Sequence, residues 1–212
     1  MFLIETFVYI GTIAFGISGA LLGIRKQMDL FGILFLCLTT SLGGGIIRDI
    51  MIGHIPPTNL TDPQYFVVSL LSGVATVLFY EKITKLKNSM LVFDAIGLGV
   101  FTAVGANAAI THGYTQPFLI VAMGLVTGIG GGIFRDVFAK EIPFVFRKEI
   151  YGVASIIGAI SLILSYSYLP IILSLYLCLI ITFTIRVLAF RFQVHIPIVK
   201  VAADKQKQTL DV

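Results

Sequence analysis

The 212 residues are 57% hydrophobic and only 12% charged, with a formal net charge of +4. A soluble chain carries about twice that share of charge, so composition excludes a soluble domain and points to an integral membrane protein. The small basic excess is a topology signal and not a nucleic-acid footprint.

Seven apolar runs reach the length of about 17–25 residues that a membrane-crossing helix needs. They cover residues 2–24, 31–51, 65–81, 90–110, 117–138, 150–168 and 169–190. The third is the shortest, bounded by Pro63 and by Glu81-Lys82, and the last two are divided only at Leu169-Pro170. Met1 to Glu5 lacks a basic segment, so no cleavable signal peptide is expected. The expected fold is an all-α membrane protein of seven transmembrane helices. Of the 15 Lys and Arg residues, 12 fall on the side holding the C-terminus: Arg25, Lys26, Lys82, Lys85, Lys87, Lys140, Arg147, Lys148, Arg191, Lys200, Lys205 and Lys207. The other three, Arg48, Arg135 and Arg186, lie inside spans. The positive-inside rule then places the N-terminus outside and the C-terminus in the cytoplasm, in a cell (inner) membrane.

The chain repeats itself. Gly43-Gly44-Gly45-Ile46-Ile47-Arg48-Asp49-Ile50 returns as Gly130-Gly131-Gly132-Ile133-Phe134-Arg135-Asp136-Val137, identical at six of eight positions and 87 residues on. Gly11, Phe15, Gly19 and Ala20 match Gly97, Phe101, Gly105 and Ala106 at a spacing of 86. Tyr65, Val67 and Ser69 match Tyr151, Val153 and Ser155 at the same spacing. A unit of three spans is odd, so the second copy enters the membrane upside down, as an inverted-topology repeat. The expected organisation is residues 1–84 as the first repeat, 88–168 as the second, 169–190 as a seventh span and 191–212 as a cytoplasmic basic tail.

Two kinds of residue could carry function. Three adjacent glycines are poor helix formers, by about 1 kcal/mol each relative to Ala. Matched breaks in two inverted halves point to a binding or permeation site at the midplane. Gly43, Gly44, Gly45, Gly130, Gly131 and Gly132 are therefore expected to interrupt the second and fifth spans, with the alternative that they only permit close helix packing. Thr39, Thr40, Ser41 and Thr127 precede the glycines. Their hydroxyls either line a wet path or bond the carbonyl four residues back. The intramembrane charges are the second kind, each costing about 2.5–3.5 kcal/mol on insertion scales. By depth, Arg48 is expected near Glu5 and Arg135 near Asp94, with Asp49 and Asp136 as alternative partners. Arg186 reads as a residue reaching to the headgroups, Tyr65 and Tyr151 as interfacial tyrosines, Asn107 as an interhelical hydrogen-bonder, and Asn59-Leu60-Thr61 as a glycosylation triplet. No catalytic constellation, metal-ligand spacing or cofactor motif is present in the sequence, so no enzyme, metal or cofactor is expected.

With its two Gly-Gly-Gly-x-x-Arg-Asp motifs, a seventh span and the stretch Asp94-Ala95-Ile96-Gly97-Leu98-Gly99-Val100-Phe101, the chain resembles prokaryotic members of the trimeric intracellular cation (TRIC) channel family. That family overlaps the bacterial group described as glycine transporters. The resemblance covers residues 1 to about 192. It implies a homotrimer in membrane lipid, one pore per protomer lined by glycine-kinked second and fifth spans, and permeation of K⁺ and Na⁺. The motif positions it carries over are the six glycines with Arg48, Asp49, Arg135 and Asp136. The basic lipid-binding segment of the animal members is not identifiable here. Freed carbonyls and hydroxyls suit a monovalent cation channel, whereas freed N–H groups suit a secondary transporter of glycine or a similar small zwitterion. Both readings stand on the sequence.

Overall fold

A computed structural model describes residues 2–147 and 150–193. Among the described residues every regular element is helical. In chain order they are α1 (Phe2–Arg25), α2 (Leu30–Met51), α3 (Thr58–Thr61), α4 (Pro63–Leu78), α5 (Tyr80–Thr84), α6 (Ser89–Thr111), α7 (Pro117–Phe138), α8 (Phe144–Arg147), α9 (Tyr151–Tyr166) and α10 (Ile171–Arg191). Five of them, α1, α2, α6, α7 and α10, are long and apolar enough to cross a membrane; α4 and α9 are apolar and shorter. Lys148, Lys200, Lys205 and Lys207, which entered the orientation argument, lie outside the described residues, as does nearly all of the basic tail.

Local chemistry sets the helix ends. Asp29 caps α2 by accepting from the Gly32 N–H at 2.7 Å, and Asp62 caps α4 by accepting from the Gln64 N–H at 2.9 Å. Pro63 and Pro117 open α4 and α7, where a missing N–H costs nothing. The chain leaves α2 and α7 by the same turn. His54 N–H donates to the Asp49 carbonyl and Glu141 N–H to the Asp136 carbonyl, each at 2.8 Å. The left-handed residue of that turn is Gly53 in one copy (φ +77°) and Lys140 in the other (φ +55°). A side chain in this conformation costs about 1–2 kcal/mol, part of which glycine gives back as unfolded-chain entropy. Lys140→Gly is therefore expected to stabilise by about 0.5–1 kcal/mol, read as a higher melting temperature in detergent. A lower one would mean that the lysine side chain holds the turn.

α6 runs through the middle, packed against α7, α1, α10 and α9. It is apolar on all sides, as a helix enclosed by others must be, and Gly97, Gly99, Ala103, Gly105 and Ala106 let its neighbours approach closely. Arg25 at the end of α1 reaches Met90 at the start of α6, Nη1 to Sδ 3.6 Å. Val8 and Val104 share a cavity wall at the opposite end. α1 and α6 thus run antiparallel, with Phe15 and Phe101 stacked at 5.3 Å between ring centroids. α2 and α7 also cross antiparallel. The α-carbon of Gly44 lies against the carbonyl of Thr127, and that of Gly131 against the carbonyl of Thr40. Phe15 and Phe101 are repeat-equivalent positions, and the Gly44–Thr127 and Gly131–Thr40 contacts are equivalent to each other.

Candidate functional site

The glycine clusters do not break their helices. α2 is continuous through Gly43, Gly44 and Gly45, and α7 through Gly130, Gly131 and Gly132. This corrects the expected interruption. The physical reason is the crossing itself: two backbones in direct contact leave no room for a Cβ at Gly44 or Gly131, and that packing outweighs the poor helix propensity of glycine. The hydroxyls follow the helical alternative. Thr39 donates to the Phe35 carbonyl at 3.0 Å, Thr40 to Leu36 at 2.5 Å, Ser41 to Cys37 at 2.7 Å and Thr127 to Met123 at 2.6 Å. Thr40, Ser41 and Thr127 are buried, so none of the three faces a wet path here.

Arg135 is the centre of a sealed network. Its side chain is 0% exposed. Nε donates to Asp136 Oδ1 at 2.8 Å, while Nη1 donates to Asp94 Oδ1 at 2.5 Å and to Ser18 Oγ at 2.6 Å. Asp136 Oδ2 accepts from the Phe144 N–H at 2.9 Å, and Tyr151 Oη donates to Asp94 Oδ1 at 3.3 Å. The Phe144 ring lies 5.1 Å from the guanidinium. Arg186 of α10 is itself buried, its guanidinium 4.8 Å from the Tyr151 ring. The cluster therefore joins α1, α6, α7, α8, α9 and α10 around two buried guanidinium groups, those of Arg135 and Arg186, and two carboxylates. Arg186 does not reach to the headgroups, and Tyr151 is not interfacial; the two hold each other in, and Asp94 holds Tyr151.

Arg48 sits in a different setting. Nε and Nη2 both donate to Asp49 Oδ1, at 2.8 and 2.7 Å, and Asp49 Oδ2 accepts from the Thr58 N–H at 2.8 Å. Thr58 is the equivalent of Phe144, so this half of the network is common to both copies. The rest is not. The position equivalent to Asp94 is Val8, and the position equivalent to Ser18 is Val104. Arg48 thus pairs with Asp49 and not with Glu5. Glu5 lies three residues before Val8, about 4.5 Å along the helix axis, and so a turn away from the register that Asp94 occupies in the second copy.

Two cavities lie at opposite ends of α6. One, of about 300 Å³, is lined by Arg48, His54, Tyr65, Asn107 and His112 among others. The other, of about 190 Å³, is lined by Arg25, Asn88, Met90, Phe144 and Arg186. Between them along α6 sits a buried cluster of Phe15, Leu98, Phe101 and Tyr151. Asn107 makes no interhelical bond with its oxygen: Oδ1 is buried without a partner among the described residues. Asn59 is buried too, and its Nδ2 donates to the Leu42 carbonyl at 3.1 Å, which removes it as a glycosylation acceptor. Ser18, Phe144, Tyr151 and Arg186 are the network members that sequence reasoning missed. The register of 86 offered a signal for one of them, since it pairs polar Ser18 with apolar Val104.

A family model described as Glycine transporter matches this chain twice, over residues 5–81 and again over 91–167. The chain belongs to the glycine-transporter family. Relatives of this glycine-transporter family member include the UPF0126 inner membrane protein YadS of Escherichia coli K12, 39% identical over 191 residues, or 89% of this chain and 92% of that protein. Among solved structures it is similar to a TRIC cation channel at 36% identity, TM-score 0.84, over 94% of this chain and 98% of the other. It is also similar to the TRIC orthologue from Rhodobacter sphaeroides at 31% identity, TM-score 0.85, over 92% of this chain and 100% of the other. This member of the glycine-transporter family is a multi-pass membrane protein with the fold of prokaryotic TRIC channels.

Proposed function

We propose that the chain is a monovalent cation channel for K⁺ and Na⁺, with one pore in each protomer of a homotrimer, and that it has no catalytic activity. The observation that carries this reading is the likeness, over nearly the whole chain, to structures of TRIC cation channels at 31–36% identity. Residues 1–84 and 88–168 are then inverted repeats, 169–190 is a closing seventh span, and 191–212 a cytoplasmic tail. The double match of the family model and the antiparallel pairing of equivalent helices support that organisation. The pore joins the Arg48 cavity to the Arg186 cavity, flanked by α2 and α7, whose glycines bring the two helices into contact. Conduction requires the cluster of Phe15, Leu98, Phe101 and Tyr151 to part, so the conformation described is a closed one.

Single-channel recording of the purified trimer in a planar bilayer tests the activity, with K⁺ current expected. A parallel assay of glycine uptake into liposomes tests the second reading, transport of a small zwitterion, which the arginine-lined cavity favours. Uptake without current would replace the channel with a transporter. Orientation is tested by single cysteines. Those at Thr58 and His112 are expected to react with an impermeant thiol reagent added outside, and one at Asn88 is not. Outside labelling at Asn88 would remove the inversion.

A further inference from the structure

The Arg48 cavity carries chemistry that a cation path does not use. Its volume of about 300 Å³ corresponds to about ten water molecules at roughly 30 Å³ each. Arg48, His54, Tyr65, Asn107 and His112 in its wall all bear hydrogen-bond donors. The one carboxylate among its described lining residues, Asp49, is engaged on both oxygens and its side chain is 3% exposed. A cation entering this space therefore meets no free carboxylate. An anion meets a guanidinium.

The second copy shows what such a guanidinium accepts. At Arg135, Nε bonds the neighbouring aspartate and Nη1 bonds a second carboxylate, that of Asp94. At Arg48, Nε and Nη2 bond the neighbouring aspartate, and Nη1 bonds no carboxylate among the described residues. Valine stands at both equivalent positions, Val8 for Asp94 and Val104 for Ser18, and both valines line the cavity. The Arg48 side chain is 12% exposed, where that of Arg135 is fully enclosed.

From this comparison we infer that the Arg48 cavity is a binding site for the carboxylate group of a small molecule, which takes on Arg48 the place that Asp94 takes on Arg135. Charge-assisted bonds of this kind are the strong ones, and the volume admits a compact monocarboxylate, with or without an amino group. The site does not depend on the chain conducting ions.

Isothermal titration of the detergent-solubilised trimer tests it at fixed ionic strength, with sodium acetate and glycine as separate ligands and sodium chloride and methylamine as controls. Acetate is expected to bind saturably and the controls not to. Glycine binding more tightly than acetate would add a contact to the amino group; equal affinity would leave the carboxylate as the whole recognition element. Arg48→Gln is expected to weaken binding at least tenfold. Because that variant also strips Asp49 of its partner, Val8→Asp provides a second test. It supplies the missing internal carboxylate and should abolish binding while raising the melting temperature. No saturable binding of either carboxylate up to 100-fold excess over chloride-corrected background would overturn the site, as would unchanged affinity in a folded Val8→Asp protein.

Discussion

Asp94→Asn is expected to destabilise the protein by about 3 kcal/mol, the lower end of what breaking a buried ion pair costs. For a chain of this size each kcal/mol shifts the melting temperature by about 2–4 °C. The substitution keeps the shape and one acceptor oxygen and removes only the charge. Arg135 is 0% exposed, so no water compensates for the loss. Asp136 still holds Nε at 2.8 Å, which is why the effect stays at the lower end. Arg135→Gln is expected to cost at least as much, since it leaves Asp94 and Asp136 buried with no cation between them. The double variant Asp94→Asn, Arg135→Gln should be more stable than the sum of its parts, because Asp136 retains the Phe144 N–H at 2.9 Å. Arg48→Gln makes the contrast. That side chain faces a cavity and water screens it, so about 1 kcal/mol is expected. Melting of the detergent-solubilised protein measures all four. Additive losses in the double variant, or equal losses at the two arginines, would mean that Arg135 is not held as described.

The spans were legible in the sequence because hydropathy and helix-end chemistry agree. The run read as 31–51 is the helix Leu30–Met51, and the run read as 117–138 is the helix Pro117–Phe138, with Asp29 and Pro117 marking their starts. The pairing of Arg135 with Asp94 also follows from depth alone, since the start of α6 and the end of α7 lie on the same side of the bundle. Depth failed for Arg48 because it is too coarse by one turn. Glu5 lies about 4.5 Å along α1 from the position equivalent to Asp94, which Val8 holds, and only the register of the two repeats reveals that. The glycines misled for another reason. Propensity predicts what an isolated segment does, at about 1 kcal/mol per glycine, whereas α2 and α7 are held helical by contact between two backbones. Tyr151 looked interfacial because it opens a helix. Its hydroxyl is satisfied by Asp94 and its ring by Arg186, residues 57 and 35 positions away in the chain, and no local pattern encodes such a meeting.

Gly44→Ala and Gly131→Ala are expected to destabilise more than alanine does at Gly43 and Gly130 of the same motifs, by about 1–3 kcal/mol or more, as overpacking does. At Gly44 the new methyl overlaps the carbonyl oxygen of Thr127, and at Gly131 that of Thr40. Both obstacles are backbone in a neighbouring helix, so no side-chain rotation relieves them. α2 and α7 must separate, which also strains Gly19 and Gly105, packed against the same turns through Thr40 and Thr127. Alanine's better helix propensity returns only about 1 kcal/mol. Gly43→Ala meets instead the ring of Phe134, a partly exposed side chain beside an apolar cavity, and the ring can turn aside. Gly130→Ala places its methyl 3.1 Å from the Gly44 α-carbon, which a shift of a few tenths of an ångström relieves. The ordering expected from thermal melting is therefore Gly44 and Gly131 together at the bottom and Gly43 and Gly130 near wild type. Since the two worst positions are each other's equivalents across the crossing, their losses should be alike. A Gly44→Ala protein that melts with the wild type, or Gly44 and Gly131 differing by more than about 1.4 kcal/mol, a factor of ten in equilibrium constant, would show that the two helices do not meet backbone to backbone at these residues.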